Sequence, residues 1–364
     1  MRPMAVSGSN KPGFIDMTGY QWLVLFAAWL GWGFDVFDGL LFNYVAPNAV
    51  PTLMGMAIGS PEGKAATMQW TGILTSVLLI GWAVGGILFG RVADKIGRTK
   101  TLLITMLLYA FGTAACAFAP NIWVLLLCRI VASLGIGGEW AAGASMVAEV
   151  VPEKRRIEAG ALLYTSAPLG LFLATFVNQK IAGEFFKGDP ANSWRYVFLC
   201  GLIPAVVAFI IRSFVKEPER WKSAADSIPK ISELFSPEMK RITISGFLMS
   251  LVALIMWWSC NAFIGVVSAG LADSAFAGKA ANDVKEAWKS IATNSFNLGG
   301  LIGTLLTIPL AKHLGRKPMY LIYFIASAAS LMATFGLPMA PEMRLYMYFF
   351  IGLSIFGVFG SFTF

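Results

Sequence analysis

The chain has 364 residues, of which 57% are hydrophobic and 13% charged, and its mean hydropathy is +0.68. A soluble chain carries about a quarter charged residues, so the composition excludes a soluble globular domain and describes a protein that crosses a membrane many times. The net charge of +8 does not point to nucleic acid, because the basic residues fall in short segments between apolar runs, as membrane orientation requires.

The first residues, 1–19, are polar, with Arg2, Lys11 and Asp16. The apolar run behind them is too long for a cleaved signal, and no small-residue cleavage pattern follows it. Spans are predicted at 20–46, 68–90, 101–119, 122–148, 159–182 and 196–213, then at 242–268, 290–311, 318–337 and 343–364. Each approaches the roughly 20 residues of a crossing helix. The segments 1–19, 91–100, 149–158, 212–241 and 312–317 hold most of the Lys and Arg, which predicts that they and the N-terminus are cytoplasmic; the expected location is the plasma (inner) membrane. Residues 1–19 are then a cytoplasmic tail, 20–213 a six-helix bundle, 214–241 a cytoplasmic linker and 242–364 a second bundle of four helices.

The polar stretch GRVADKIGRTK, Gly90 to Lys100, recurs in degraded form as IPLAKHLGRKP, Ile308 to Pro318. At one constant offset Gly81, Gly85, Ala93, Gly97 and Arg98 match Gly299, Gly303, Ala311, Gly315 and Arg316. Related loops at the same place in two halves indicate duplication. The same offset applied to the fourth, fifth and sixth spans predicts helices that run beyond Phe364, so the chain is expected to be a C-terminally incomplete copy of a twelve-helix protein. Gly81, Gly85 and Gly90 are expected where helices cross closely. Asp94 is expected to accept backbone N–H groups at a neighbouring helix start, and Gly97 to permit the turn into the third helix.

GRVADKIGRTK resembles the signature loop between the second and third helices of the major facilitator superfamily, Gly-x-x-x-Asp-Arg/Lys-x-Gly-Arg-Arg/Lys. Gly90, Asp94, Lys95, Gly97, Arg98 and Lys100 fill its positions, with Thr99 in place of one basic residue. CRIVASLGIGGEW, Cys128 to Trp140, is similar to the fourth-helix Arg-x-x-x-Gly-x-Gly motif, with Ser133 at the first Gly. VPEKRR (Val151–Arg156) and KEPERW (Lys216–Trp221) resemble loops of sugar- and metabolite-porter branches. The resemblance implies an all-α membrane fold of two pseudo-symmetric bundles, ten of twelve helices being present, and transport by alternating access. It also implies a cytoplasmic gate whose partner, the eleventh helix, this chain lacks. Gly90, Asp94, Gly97, Arg98, Arg155, Arg156, Gly315 and Arg316 are assigned to that gate. In the second copy Ile308 replaces Gly and Lys312 replaces Asp, so its half of the latch is expected to be weak.

Four charges lie inside predicted spans: Asp35, Asp38, Arg129 and Glu139. Each costs about 2.5–3.5 kcal/mol on insertion scales, roughly 10 kcal/mol together, which calls for partners, water or use. Asp35 and Asp38 share a helix face. Asp38 and Arg129 each lie about 10 Å below the outer surface, so Asp35, Asp38 and Arg129 are expected to form a proton- and substrate-coupling group in which Asp35 or Asp38 takes the proton; a static ion pair is the structural alternative. Glu139 is about 26 Å below the outer end of its helix and is expected to join Arg98, Arg155 or Arg156 in the gate. The matching positions of the second half, Ala253, Met256, Met347 and Gly357, are uncharged.

Trp257, Trp258 and Asn261 occur at the depth of Asp35 and suit an organic solute, assisted by Asn294 and Asn297; Tyr164, Asn178 and Asn43 are further cavity candidates. Cys116, Cys128, Cys200 and Cys260 lie in apolar runs and read as small buried hydrophobes. With His313 the sole histidine, no His-based metal cluster or catalytic triad is available; no cofactor or metal and no enzymatic activity are expected. GWGFDVFDGLLF and GIGGEW look most like the sialate/carboxylate and aromatic-acid proton symporter branches. The expectation is uptake of a small organic anion with a proton by a monomer in the lipid bilayer. Alternatives are a sugar or polyol transporter, an antiporter, or a non-transporting nutrient receptor of the same fold.

Overall fold

The computed structural model describes residues 17–212, 214–217, 231–277, 280 and 282–359. The N-terminal tail to Asp16, the linker around Pro229 and the end of KEPERW from Pro218 lie outside the described residues. Twelve α-helices follow in order: α1 Gly19–Leu53, α2 Pro61–Ile96, α3 Arg98–Cys116, α4 Ile122–Val150, α5 Arg156–Tyr164, α6 Ser166–Asn178, α7 Pro190–Cys200, α8 Leu202–Arg212, α9 Lys240–Ala275, α10 Asn282–Leu314, α11 Arg316–Gly336 and α12 Pro341–Phe359. Among the described residues nine helical stretches are long and apolar enough to cross a membrane. The sixth predicted span, 196–213, corresponds to α7 and α8, each of 11 residues and about 16 Å, too short to cross alone.

Local chemistry sets the helix starts. Thr18 and Gln21 form a reciprocal capping box on α1, Ser60 caps α2 ahead of Pro61, and the Asn121 side chain accepts from the Trp123 and Val124 amides at 3.1 and 3.0 Å. Prolines explain two breaks inside predicted spans. Pro168 has no N–H for the Tyr164 carbonyl, and the fifth span divides there into α5 and α6; Pro204 has none for Cys200, and the sixth divides into α7 and α8. By contrast α1 continues through Pro47 and Pro51, beyond the predicted end of the first span. Its last turns are buried through Ala49, Val50 and Leu53 and pack in one cluster with Trp194 and Phe198 of α7. Tertiary burial outweighs the two missing hydrogen bonds.

The duplication read from the sequence is present in space. α2 packs most extensively on α4, and α10 on α12. A Cβ placed on Gly81 or Gly85 would collide with Ser133 or Leu134 of α4; one on Gly299 or Gly303 would collide with Phe349 or Leu353 of α12. The two third-helix starts also correspond, since Gly97 has φ +110° and Gly315 φ +85°, a region that favours glycine. Gly90 is a correction to the sequence reading: an added Cβ there would lie 3.7 Å from Ala141, an ordinary contact that requires no glycine.

The helix ends define two faces. The basal end holds the start of α1, the α2–α3 and α10–α11 turns and the end of α4. Helices α1–α8 form the first half and α9–α12 the second, and a buried cluster containing Leu78, Ile136, Tyr164, Trp257, Trp258, Phe296 and Phe356 spans both. At the basal end α10 packs on α5 and α6, so the halves meet there.

Candidate functional site

Three groups of side chains stack along the long axis. The outermost is a charged centre of the first half. The Arg129 guanidinium lies 3.6 Å from the Asp38 carboxylate, with both side chains 2% exposed. Arg129 also donates to the Gly39 carbonyl at 3.0 Å and the Asp38 carbonyl at 3.4 Å, while the Thr113 hydroxyl donates to Asp38 Oδ2 at 2.8 Å. Helices α1, α3 and α4 thus each contribute one polar residue to a site with little access to water. The guanidinium reaches main-chain carbonyls as well as the carboxylate because α1 turns its Asp38–Gly39 backbone towards α4.

One turn below, Asp35 is fully buried and lines a small cavity with Glu139, Trp32, Trp140 and Leu163. That cavity has space for about one water molecule. The sequence placed Asp35 and Asp38 on one helix face; the structure gives them different neighbours. Glu139 is a correction: it faces the Asp35 cavity, whereas the described ion pairs of Arg98, Arg155 and Arg156 are made with Asp94, Glu149, Glu158 and Glu153.

At mid-height a chain of aromatic rings runs from one half to the other. Trp32 lies 4.0 Å from Trp140 and 6.4 Å from Trp82 between ring centroids; Trp82 lies 5.6 Å from Trp258, and Trp257 6.0 Å from Phe356. Tyr164 stacks at 5.7 Å on Phe359 of α12. The indole N–H groups of Trp32 and Trp82 are buried without a hydrogen-bond acceptor, as are both amide atoms of Asn297 and the amide nitrogen of Asn261. Buried polar groups are normally satisfied, and these donors and acceptors have no protein partner here. Trp257, Trp258 and Tyr164 pack in the buried cluster that spans both halves, and Asn261 and Asn297 are buried as well. Asn294 is not: it is exposed on the face that carries Leu298, Ile302 and Leu305. Asn43 accepts from Thr75 at 3.5 Å, and it and Asn178 lie towards the far end, beyond the charged centre. Trp32 and Trp82 were missed by the sequence reading; their spacing from Asp35 and Gly85 was the available signal.

The basal end carries the third group. Arg98 pairs with Asp94 at 2.5 Å and Glu149 at 2.9 Å. The α3 start has no cap of its own at Gly97. Instead Glu217 accepts from the Arg98, Thr99 and Lys100 amides at 2.8, 3.0 and 3.3 Å, placing a carboxylate at the positive end of the helix dipole. The Arg156 guanidinium donates to the Ala148 carbonyl at 3.0 Å. Arg155 meets Glu158 at 3.2 Å, and Lys312 from the second half meets the same carboxylate at 2.6 Å. In the second copy Lys312 stands where the first has Asp94. Its cation bridges the halves by reaching Glu158 of the first, and Gly315 and Arg316 begin α11 beside it. Glu149, Glu158 and Glu217 were all missed as partners. Among the described residues no cluster of His, Cys, Asp and Glu is suited to a metal ion.

Comparisons with known proteins agree with this architecture. The chain is 27% identical over 95% of its length to a protein of Haemophilus influenzae named for metabolite transport, covering 81% of that protein. It is 26% identical over 92% of its length to the sialic acid transporter NanX of Escherichia coli, covering 74% of it. Among solved structures, the proton:xylose symporter XylE superposes with a TM-score of 0.67 over 94% of this chain and 81% of that one, at 16% identity, a likeness of fold. The family profile of the Major Facilitator Superfamily matches residues 21–364. The chain therefore belongs to the Major Facilitator Superfamily, and it is a multi-pass membrane transporter and not an enzyme.

Proposed function

We propose that the protein imports a small organic anion (a carboxylate, a sialate or an aromatic acid) together with a proton, by alternating access in the inner membrane with its N-terminus and basal end in the cytoplasm. The observation that carries this reading is the Asp38–Arg129 pair, buried in the first half with no charged counterpart in the second. A solute carboxylate reaching Arg129 competes for the same guanidinium as Asp38. An Asp38 that loses its cation in a buried site holds a proton more readily, so binding the anion and taking up the proton favour one another. Asp35 and Glu139, around a water-sized cavity one turn lower, offer the proton a route towards the basal end. The free indole and amide groups of Trp32, Trp82, Asn261 and Asn297 would hold the rest of the solute between rings that move apart when the halves rock. Lys312–Glu158 closes the basal end, with Arg155 on the same carboxylate. The chain needs no second copy in this scheme and acts as a monomer.

The test uses energy-depleted, lightly buffered cells expressing the protein, with a pH electrode outside. Lactate, a dicarboxylate, sialate, an aromatic acid and a hexose are added in turn against empty-vector cells. Alkalinisation on one anion that Asp38→Asn abolishes is the expected result. Hexose entry with a flat pH trace would replace it with the second reading, a sugar facilitator, which the amides of Asn261 and Asn297 favour. Solute binding without accumulation would instead indicate a receptor.

A further inference from the structure

Helices α3 and α4 run antiparallel in backbone contact. A Cβ on Gly135 would lie 2.7 Å from the Tyr109 amide nitrogen, and one on Gly112 would lie 2.9 Å from the Ala132 Cα. One turn further along this register, Cys116 of α3 comes opposite Cys128 of α4, where the Cys116 thiol donates to the Gly112 carbonyl at 3.3 Å. Both cysteines are free; Cys116 is buried and Cys128 partly exposed. The pair lies against the charged centre. Thr113, which donates to Asp38, precedes Cys116 by one turn, and Arg129 adjoins Cys128 in the chain. A disulfide needs roughly 4.4–6.8 Å between Cα atoms, and helices that touch through glycine bring facing residues close together.

We propose that Cys116 and Cys128 form a reversible dithiol–disulfide site for peroxide-class oxidants, and that closing it restrains the Asp38–Arg129 pair. The more accessible Cys128 sulfur attacks a peroxide oxygen; the O–O bond breaks, and Cys128 becomes a sulfenic acid as one water leaves. The Cys116 sulfur then attacks the Cys128 sulfur. The S–S bond forms, the S–O bond breaks, and the hydroxyl departs as a second water with the Cys116 proton. Two electrons pass from the two thiols to the peroxide, and an external dithiol returns them. The disulfide fixes Thr113 and Arg129, on two different helices, relative to one another. The restraint on coupling rests on the proposed function above; the disulfide itself does not.

The experiment exposes the purified protein in detergent to hydrogen peroxide, alkylates it with iodoacetamide in denaturant, and digests it for mass spectrometry. A peptide pair joined through Cys116 and Cys128, absent after dithiothreitol, with Cys200 and Cys260 alkylated, is expected. Full alkylation of Cys116 after peroxide, whatever the state of Cys128, overturns the proposal. In the pH-electrode assay, the anion that produces alkalinisation should do so about tenfold less after peroxide and recover with dithiothreitol, while a Cys116→Ser/Cys128→Ser variant stays constant. Should that variant fold poorly, Cys128→Ala alone replaces it, since Cys116 keeps its bond to the Gly112 carbonyl. Equal loss of signal in wild type and variant refutes the restraint. Silence with every anion refutes proton coupling and leaves the linked peptide to decide the disulfide.

Discussion

Removing the Lys312 cation should release the basal end, and the structure sets the size of the effect. Its ammonium lies 2.6 Å from a Glu158 carboxylate that is 2% exposed, while Lys312 itself is 42% exposed. Two unit charges at that distance attract by about 6 kcal/mol at an effective dielectric constant near 20. Desolvation of the carboxylate and solvent screening of the lysine remove most of this, and Arg155 still neutralises Glu158 in part. A net contribution of about 1–2 kcal/mol remains. The pair exists only while the halves meet, so Lys312→Ala should raise the ratio of open to closed basal ends by roughly 5- to 30-fold. Spin labels carried on p-acetylphenylalanine at Lys100 and Lys317, both exposed, read that ratio as a long-distance population without using the native cysteines. The cycle of Lys312→Ala, Glu158→Gln and the double variant isolates the pair from the rest of the network. A coupling below about 0.3 kcal/mol, or equal widening in a Lys95→Ala control, would refute the latch.

Two further predictions concern stability, both read by thermal unfolding in detergent. Asp38→Asn and Arg129→Met each leave a buried partner uncompensated and should each cost about 3–5 kcal/mol, while the two together cost much less than the sum; additive losses would show that the ion pair is not formed. Gly85→Ala puts a methyl group into the Leu134 backbone and should cost about 3 kcal/mol or abolish folded yield, whereas Gly86→Ala, whose nearest neighbour would be the Gly137 carbonyl at 3.6 Å, should change stability by less than about 1 kcal/mol. Equal behaviour of the two glycines would contradict the α2–α4 packing.

The reach of the sequence followed the range of the interactions. Apolar run lengths give the spans because the bilayer sets one length for every helix, and the paired glycines give the duplication because backbone contact tolerates no side chain. Asp38 and Arg129 could be joined by depth, a quantity the helical rise supplies. Glu217 could not be joined to Arg98 in that way, since 119 residues separate them and nothing periodic connects a linker to a helix start. Lys312 failed for a different reason. Comparison between copies set it against Asp94, its equivalent in the repeat, while its spatial partner Glu158 occupies a non-equivalent place. Gly90 fitted the motif without the steric need that Gly85 shows, so a motif position and a packing position are separate facts. Pro168 marked the division of the fifth span, but Pro47 and Pro51 gave the same local signal inside a continuous helix; burial decided between them.

The glycine seams of α2 on α4 and α10 on α12 have a mechanical consequence. Where main chain rests on main chain, neither helix can slide without a collision, so each half is stiff. The surface between the halves is of another kind: rings at mid-height and a lysine–glutamate bridge at the base. Side chains can change rotamer and regain contact after a displacement, whereas a backbone seam cannot. Compliance is thus concentrated in one plane between two stiff bodies, and a load applied between them is relieved by tilting along that plane and not by bending any single helix.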